Sequence, residues 1–290
     1  MIITFDVGGT SIKYGVVEFK EDEIHFLMKD EADTFGGQGI LKTIEEKTQE
    51  AMQSYPIEGL AISTAGRVDV ETGTILLASN IPDYTGMCVK GLLEEKFHLP
   101  VWVENDVNSA ALGETMYGAG KNASSSFMVT IGTGIGGAIV LDQKVFHGFT
   151  GVAGEVCFMN VKGQDYQDLC STTALVHKVE ERTHETGLNG RIIFDRAKAG
   201  DAICKEVIEE ICSDIVLGLN NCLCMVNPEV IILGGGIMSQ EEYLRPIMEK
   251  YLKKHVNPII LKGTRLEFAS LQNMAGMAGA AAFWKSKEQK

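Results

Sequence analysis

One pattern occurs twice in this chain, and it constrains the fold more than anything else. Residues 2–5 are a short apolar strand, followed by Asp6-Val7-Gly8-Gly9-Thr10-Ser11-Ile12-Lys13 and an apolar run to Val17. Residues 127–131 are a second such strand, followed by Gly132-Thr133-Gly134-Ile135-Gly136-Gly137 and a returning strand over 138–141. Both are predicted as β-hairpins that turn on glycine. A hairpin needs only the glycines, whereas both turns also carry a threonine, and the first has an acid before it and a lysine after it. Glycine lets backbone N–H groups approach a phosphate closely, a threonine hydroxyl can donate to its oxygens, and Asp6 can hold a metal through water. The second turn has a G-x-G-x-x-G-like spacing but returns as a strand instead of opening a helix, which argues against a dinucleotide fold. Two such hairpins suit one nucleoside triphosphate held from both sides.

Between them lies Val101-Trp102-Val103-Glu104-Asn105-Asp106-Val107-Asn108-Ser109-Ala110-Ala111. The β-branched and aromatic start predicts the end of a buried strand, and the alanine-rich continuation predicts a helix over 107–117. Asp106 therefore falls at a strand-to-helix junction, where a carboxylate can either cap the helix or take a proton from a substrate hydroxyl. Residues 59–63 are another buried strand, running into Thr64-Ala65-Gly66, and ligands of open α/β sheets gather at such carboxyl ends. Asn80 either closes a turn or hydrogen-bonds a ligand. Glu155 either is solvated or accepts from a hydroxyl, at the end of the glycine-rich loop 148–155. Gly234-Gly235-Gly236 is a third glycine turn, where bare backbone can lie against a nucleoside.

Amphipathic spacing predicts helices over 40–54, 90–97, 171–183, 191–226, 244–255 and 273–284. The last is rich in small residues and is expected to pack closely on a neighbour. A flexible stretch from Gly118 to Ser126 divides the chain in two. At 290 residues and 45% hydrophobic content, the chain can fill two cores. A net charge of −13 disfavours a polyanion-binding surface and so nucleic acid. The start lacks a basic leader, and no apolar run approaches the ~20 residues of a membrane span. Seven cysteines scattered through core segments fit reduced thiols in a cytoplasmic protein. Cys222 and Cys224 point to different faces of a helix and do not form a metal pair.

Taken in order, Asp6-x-Gly-Gly-Thr10-x-x-Lys13, Glu104-Asn105-Asp106, Gly132-Thr133-Gly134-Ile135-Gly136-Gly137, Ala153-Gly154-Glu155, Asn227-Pro228 and Gly234-Gly235-Gly236 resemble the ROK family of bacterial sugar kinases and sugar-responsive repressors. The resemblance covers essentially the whole chain. It implies an α/β, two-domain actin-like ATPase fold of the ribonuclease H-like, hexokinase type. One domain would span 1–117 with the C-terminal helix 273–290, the other 118–272, and the active site would lie in the cleft between them. It further implies an ATP-dependent kinase acting on the 6-hydroxyl of a sugar, with Asp106 as general base. Gly66, Asn80, Asn105 and Glu155 would meet the sugar. Gly8, Gly9, Thr10, Lys13, Gly132, Thr133 and Gly134 would meet the phosphates, Gly235 the nucleoside, and Asp6 a magnesium ion through water. A homodimer is also implied.

The chain departs from the family pattern after Glu155, where Val156-Cys157-Phe158 replaces the glycine, histidine and cysteine-rich run that binds zinc, so no zinc is expected. The family's second sugar-binding glutamate aligns with Gln167 or Asp168. Loss of the histidine and of the zinc-ordered loop leaves room for a substituent on the sugar's anomeric side, so a β-glucoside or an N-acetylated hexosamine stands beside glucose. The alternatives are a sugar-sensing regulator and a non-catalytic sugar-binding protein. Family repressors carry an additional N-terminal helix-turn-helix, whereas here the hairpin begins at residue 2, and intact hairpins with Asp106 favour catalysis.

Overall fold

The computed structural model describes residues 1–9, 11–21 and 23–288. The chain opens with β1 (Ile2–Val7), β2 (Ser11–Lys20), β3 (Glu23–Asp33), α1 (Gly36–Met52) and β4 (Leu60–Thr64). A small hairpin of β5 (Arg67–Asp69) and β6 (Thr74–Leu77) follows, then α2 (Val89–Phe97), β7 (Val101–Asn105) and α3 (Asp106–Tyr117). Next come β8 (Ser125–Ile131), β9 (Ile135–Leu141), β10 (Lys144–Val145), and the pair β11 (Asn160–Val161) and β12 (Gln164–Asp165). Helices α4 (Tyr166–Cys170), α5 (Thr172–Thr183), α6 (Gly190–Lys198) and α7 (Ala202–Val226) lead to β13 (Val230–Gly234). The chain closes with α8 (Glu241–His255), α9 (Pro258–Leu261), β14 (Arg265–Phe268) and α10 (Ala275–Glu288). Two units emerge: Met1–Asn122 with Val140–Ala153 and the segment from Leu271, and Ala123–Ile139 with Gly154–Ser270. The excursion of Val140–Ala153 leaves no mark in the sequence pattern.

The first unit is built on a sheet of order β3-β2-β1-β4-β7, antiparallel across β1–β2–β3 and parallel across β1–β4–β7. Strand periodicity divides β1 between two faces. Ile3, Phe5 and Val7 enter the core that holds Ile40 and Ile44 of α1, whereas Ile2 joins Ala280, Ala281 and Trp284 of α10. Thr4 has the same parity as Ile2, and its hydroxyl donates to the Met277 carbonyl at 3.0 Å. Asp6 continues that parity and so faces α10 as well. Each large apolar side chain removed from water in this core contributes about 1.5–3 kcal/mol.

Close approach of α10 to α3 depends on glycine. A Cβ on Gly113 would stand 2.5 Å from the Ala275 carbonyl oxygen, and one on Gly279 would overlap the carbonyl of Ser109. The small-residue segment of the sequence is thus the stripe that seats α10.

In the second unit the sheet order is β10-β9-β8-β13-β14, with β8–β13–β14 parallel. The order repeats that of the first sheet, three strands folded back in sequence followed by two later ones. The long helix expected over 191–226 is two helices, because the chain turns at Gly200 with a φ of +109°. Asp201 then caps α7 by accepting from the Cys204 N–H. Along α7, Cys222 is buried and Cys224 exposed, as their spacing requires.

Gly279→Ala is expected to cost about 2–3 kcal/mol in denaturant unfolding, since the helix pair must separate to admit the methyl group. Gly236→Ala, where nothing lies within 4 Å, should change stability little.

Candidate active site

At the end of β7 two adjacent residues divide the work that the sequence left open for one. Asn105 is the cap of α3: its Oδ1 accepts from the N–H groups of Val107 at 2.9 Å and Asn108 at 3.1 Å. Its Nδ2 donates to the Gly66 carbonyl and to Asp106 Oδ1, both at 2.9 Å. All the hydrogen-bonding positions of the Asn105 amide are therefore used. Asp106, the first residue of the helix, also accepts from the Val107 N–H, at 2.9 Å. Both of its bonds fall on Oδ1, and Oδ2 carries none among the described residues. The helix end is satisfied by the neighbour, which leaves one carboxylate oxygen available for chemistry.

Gly66 presents its carbonyl to Asn105 by adopting a φ of +107°. A Cβ there would meet the Leu77 carbonyl oxygen at 2.7 Å, so glycine is required twice over.

Asp6 and Ser63 are partners across the parallel pairing of β1 and β4, and Ser63 Oγ donates to Asp6 Oδ1 at 2.8 Å. Lys13 pairs with Asp6 in register on the other side. α10 approaches here through Gly276, whose Cβ, if present, would stand 2.5 Å from Asp6 Oδ1. Burial raises the pKa of Asp6, against the lowering effects of the Ser63 hydrogen bond and the Lys13 charge. The carboxyl of Asp106 is raised to about 6, first by burial and then by the negative charge of Asp6, against the Val107 and Asn105 hydrogen bonds. Two carboxylates that each raise the cost of charge suit a site visited by a cation or by a proton in transit. Among the described residues, no group of three or more His, Cys, Asp or Glu side chains is placed to hold a metal by itself.

The other expected residues fall as follows. Gly8 closes the first turn by donating to the Ser11 carbonyl at 2.9 Å, and a Cβ on Gly9 would meet only open space. Thr10 lies outside the described residues. Asn80 is exposed in a turn.

In the second unit the Gly132 N–H donates to the Gly134 carbonyl at 2.9 Å, forming a tight turn. The start of α5 holds that turn: Thr172 N–H donates to the Gly132 carbonyl and Thr173 Oγ1 to the Thr133 carbonyl, both at 2.8 Å. Thr133 itself is exposed. Gly235, with a φ of +93°, has no room for a Cβ against the backbone of Ile131. Glu155 is exposed and accepts a weak bond from the Cys157 thiol at 3.5 Å. Gln167 accepts from the Ile135 N–H at 3.3 Å and lies against Gly134, so its oxygen serves the glycine turn, while Asp168 is exposed. This role of Gln167, like that of Gly276, depends on tertiary approach and has no signal in a single sequence.

The ROK family model matches residues 2–287. The chain belongs to the ROK family. An uncharacterised protein of Clostridium perfringens is 44% identical over 97% of this chain and 96% of its own length. A β-glucoside kinase of Listeria monocytogenes is 32% identical, over 100% and 99% of the two chains. Among solved structures, a ROK family glucokinase from Streptomyces griseus in complex with glucose and AMPPNP is 29% identical, with a TM-score of 0.81 over 97% of this chain and 98% of that one. The fold is the actin-like ATPase fold, as the sequence motifs implied.

The raised Asp106 pKa has a definite stability consequence. Because the folded value of about 6 lies above the unfolded one, this carboxyl stabilises the fold at pH below about 4, and that contribution is lost as pH rises through 6. Asp106→Asn is therefore expected to gain stability on the wild type at pH 7.5 but not at pH 4. Two pKa units at about 1.4 kcal/mol each cap the gain at roughly 3 kcal/mol, less what solvent screens. Thermal melts of both proteins at the two pH values check it.

Proposed function

We propose that this protein is an ATP-dependent carbohydrate kinase that transfers the γ-phosphate of ATP to the 6-hydroxyl of a hexose, an N-acetylhexosamine or a β-glucoside. The observation that carries the reading is the division of labour at the β7–α3 junction. Asn105 satisfies the helix, and the freed Asp106 carboxylate has an acidity matched to general base work near neutral pH. Membership of a family that includes named glucokinases and β-glucoside kinases supports it.

In this reading Asp106 accepts the proton of the sugar 6-hydroxyl as that oxygen bonds to the γ-phosphorus. The bond from phosphorus to the bridging oxygen breaks, and ADP leaves. Phosphoryl transfer needs mainly positioning and charge neutralisation, which glycine turns with backbone N–H groups provide. Gly8, Gly9, Thr10, Lys13, Gly132, Thr133 and Gly134 serve the phosphates, and Gly235 the nucleoside end. Asp6 would hold magnesium through water, and the ion when bound would supply positive charge to the phosphate oxygens. The buried Asp6 carboxylate, costly to ionise alone, fits that partner. Asn80 and Glu155, both exposed, accept and donate to sugar hydroxyls, and Asn105 reaches the sugar only by exchanging one of its present bonds.

Gln167 bears on the substrate. Gln167 at the family's second glutamate position, in preference to the exposed Asp168, would put a carboxamide turned to the glycine turn in place of an anionic hydroxyl acceptor. That favours a substituted sugar, and the Listeria monocytogenes relative supports a β-glucoside first. A cytoplasmic, homodimeric enzyme completes the proposal by analogy with the family.

The test is ADP release with ATP and magnesium across cellobiose, glucose, N-acetylmannosamine, N-acetylglucosamine and fructose. Turnover is expected on at least one, with kcat/KM falling below pH about 6 as Asp106 takes up its proton. Asp106→Ala should bind sugar yet lose about 10³-fold or more in turnover. Silence on all five sugars, or near-normal turnover by the variant, counts against the reading.

A further inference from the structure

A fully buried carboxylate next to the base takes no part in the reaction just described. Glu104 is 1% exposed and sits one residue before the Asn105 cap. Its Oε1 accepts from the Asn105 N–H at 2.8 Å and from Asn108 Nδ2 at 3.1 Å, so one oxygen grips the chain on both sides of Asp106. Its Oε2 lies 2.6 Å from His147 Nε2. His147 belongs to the loop of residues 146–153 that follows β10, and its ring packs edge-on against Phe283 of α10.

The same loop has a second anchor. Arg67 Nη2 donates to the Thr150 carbonyl at 2.5 Å, and Arg67 directly follows Gly66, whose carbonyl receives the Asn105 amide. The bonds therefore close a circuit, from Glu104 to Asn105, from Asn105 to Gly66, along the chain to Arg67, across to Thr150, back along the loop to His147 and so to Glu104. All of it lies within the first unit.

We propose that Glu104, His147 and Arg67 are positioning residues that make the base turn and the 146–153 loop one coupled element. The transmission is physical. Without His147, a buried carboxylate oxygen loses its partner, which costs far more than the net worth of a hydrogen bond. Glu104 must then turn toward water or admit it, and either movement disturbs the grip of Oε1 on Asn105 and Asn108. Without Arg67 the loop is held at one end only, and the strain falls on the same pair. Gly148, between the anchors, and Gly151, directly after the second, both have positive φ and let the loop bend there.

The role of the circuit in catalysis rests on the kinase reading, but its existence does not, so two readouts are taken together. Amide hydrogen exchange is measured on the wild type, His147→Ala, Arg67→Ala, the double variant and His147→Gln, whose amide can still reach Glu104. Exchange in His147→Ala and in Arg67→Ala is expected to rise both in residues 146–153 and at the first amides of α3, and to return toward the wild type in His147→Gln. In parallel, kcat for the sugar should drop about tenfold in each single variant with KM for ATP unmoved. The double variant should lose no more than about twofold beyond either single one, because both anchors serve one element. Faster exchange confined to the loop, with α3 unchanged, overturns the proposal, as do losses that multiply in the double variant. If no sugar is turned over by the wild type, the kinase reading fails while the exchange data still decide the circuit.

Discussion

The site depends on the side chain of Asn105. A helix that begins directly after a buried strand leaves its first N–H groups without partners, and a carboxylate at that point is drawn to them. Asn105 satisfies two with one oxygen, then uses its two amide hydrogens to tie the strand end to Gly66 and to hold Asp106 by a single oxygen. A neutral amide does this better than a second carboxylate, because it can donate and accept at once and adds no charge beside Asp6 and Asp106. Had Asp106 been the cap, the additional N–H bonds to its carboxylate would have lowered its pKa.

Everything around the junction serves to bring backbone close without side chains between. α10 reaches α3 through Gly113 and Gly279, and reaches Asp6 through Gly276. The same even-numbered face of β1 carries Ile2, Thr4 and Asp6, so one strand supplies a core residue, a buried hydrogen bond to α10 and an acid to the site. The chain's last helix therefore helps set the environment of its sixth residue. Such long-range dependence makes the site rigid, since neither α3 nor the start of β1 can shift without unpacking α10.

Local pattern made much of this legible. Both glycine hairpins, the strand-to-helix junction and the glycine turn after residue 233 stand where their spacing put them, because periodicity and glycine act over a few residues. The split of the predicted helix over 191–226 at Gly200 was missed because apolar spacing resumes in phase on the far side. The capping question at Asp106 stayed open because asparagine and aspartate are both good caps, and which of two neighbours takes the role is a one-residue matter of register. Glu104 stood out only as part of the Glu104-Asn105-Asp106 motif, and nothing linked it to His147 or Arg67: the three lie 37 to 80 residues apart in pairs, and only the folded first unit closes their circuit. The alignment left Gln167 and Asp168 as alternatives for one sugar-binding position, and it carried no sign that the Gln167 oxygen accepts from the Ile135 N–H.

The charges at the junction bear on what kind of base Asp106 would be in the proposed reaction. An unperturbed aspartate is a weak proton acceptor, and a fully desolvated one would be neutral at pH 7 and accept nothing. Asp106 lies between, raised to about 6 by burial and by Asp6 but held there by the Val107 and Asn105 hydrogen bonds. At pH 7 such a group is about 90% ionised, and it is about a hundredfold more basic than an aspartate in water. The effects oppose one another: the hydrogen bonds favour the charged carboxylate, while burial and the neighbouring Asp6 charge favour the protonated form. The position of Asp6, set by its pairing with Ser63 and by the close approach of Gly276, therefore adds to the effect of burial on the Asp106 carboxyl.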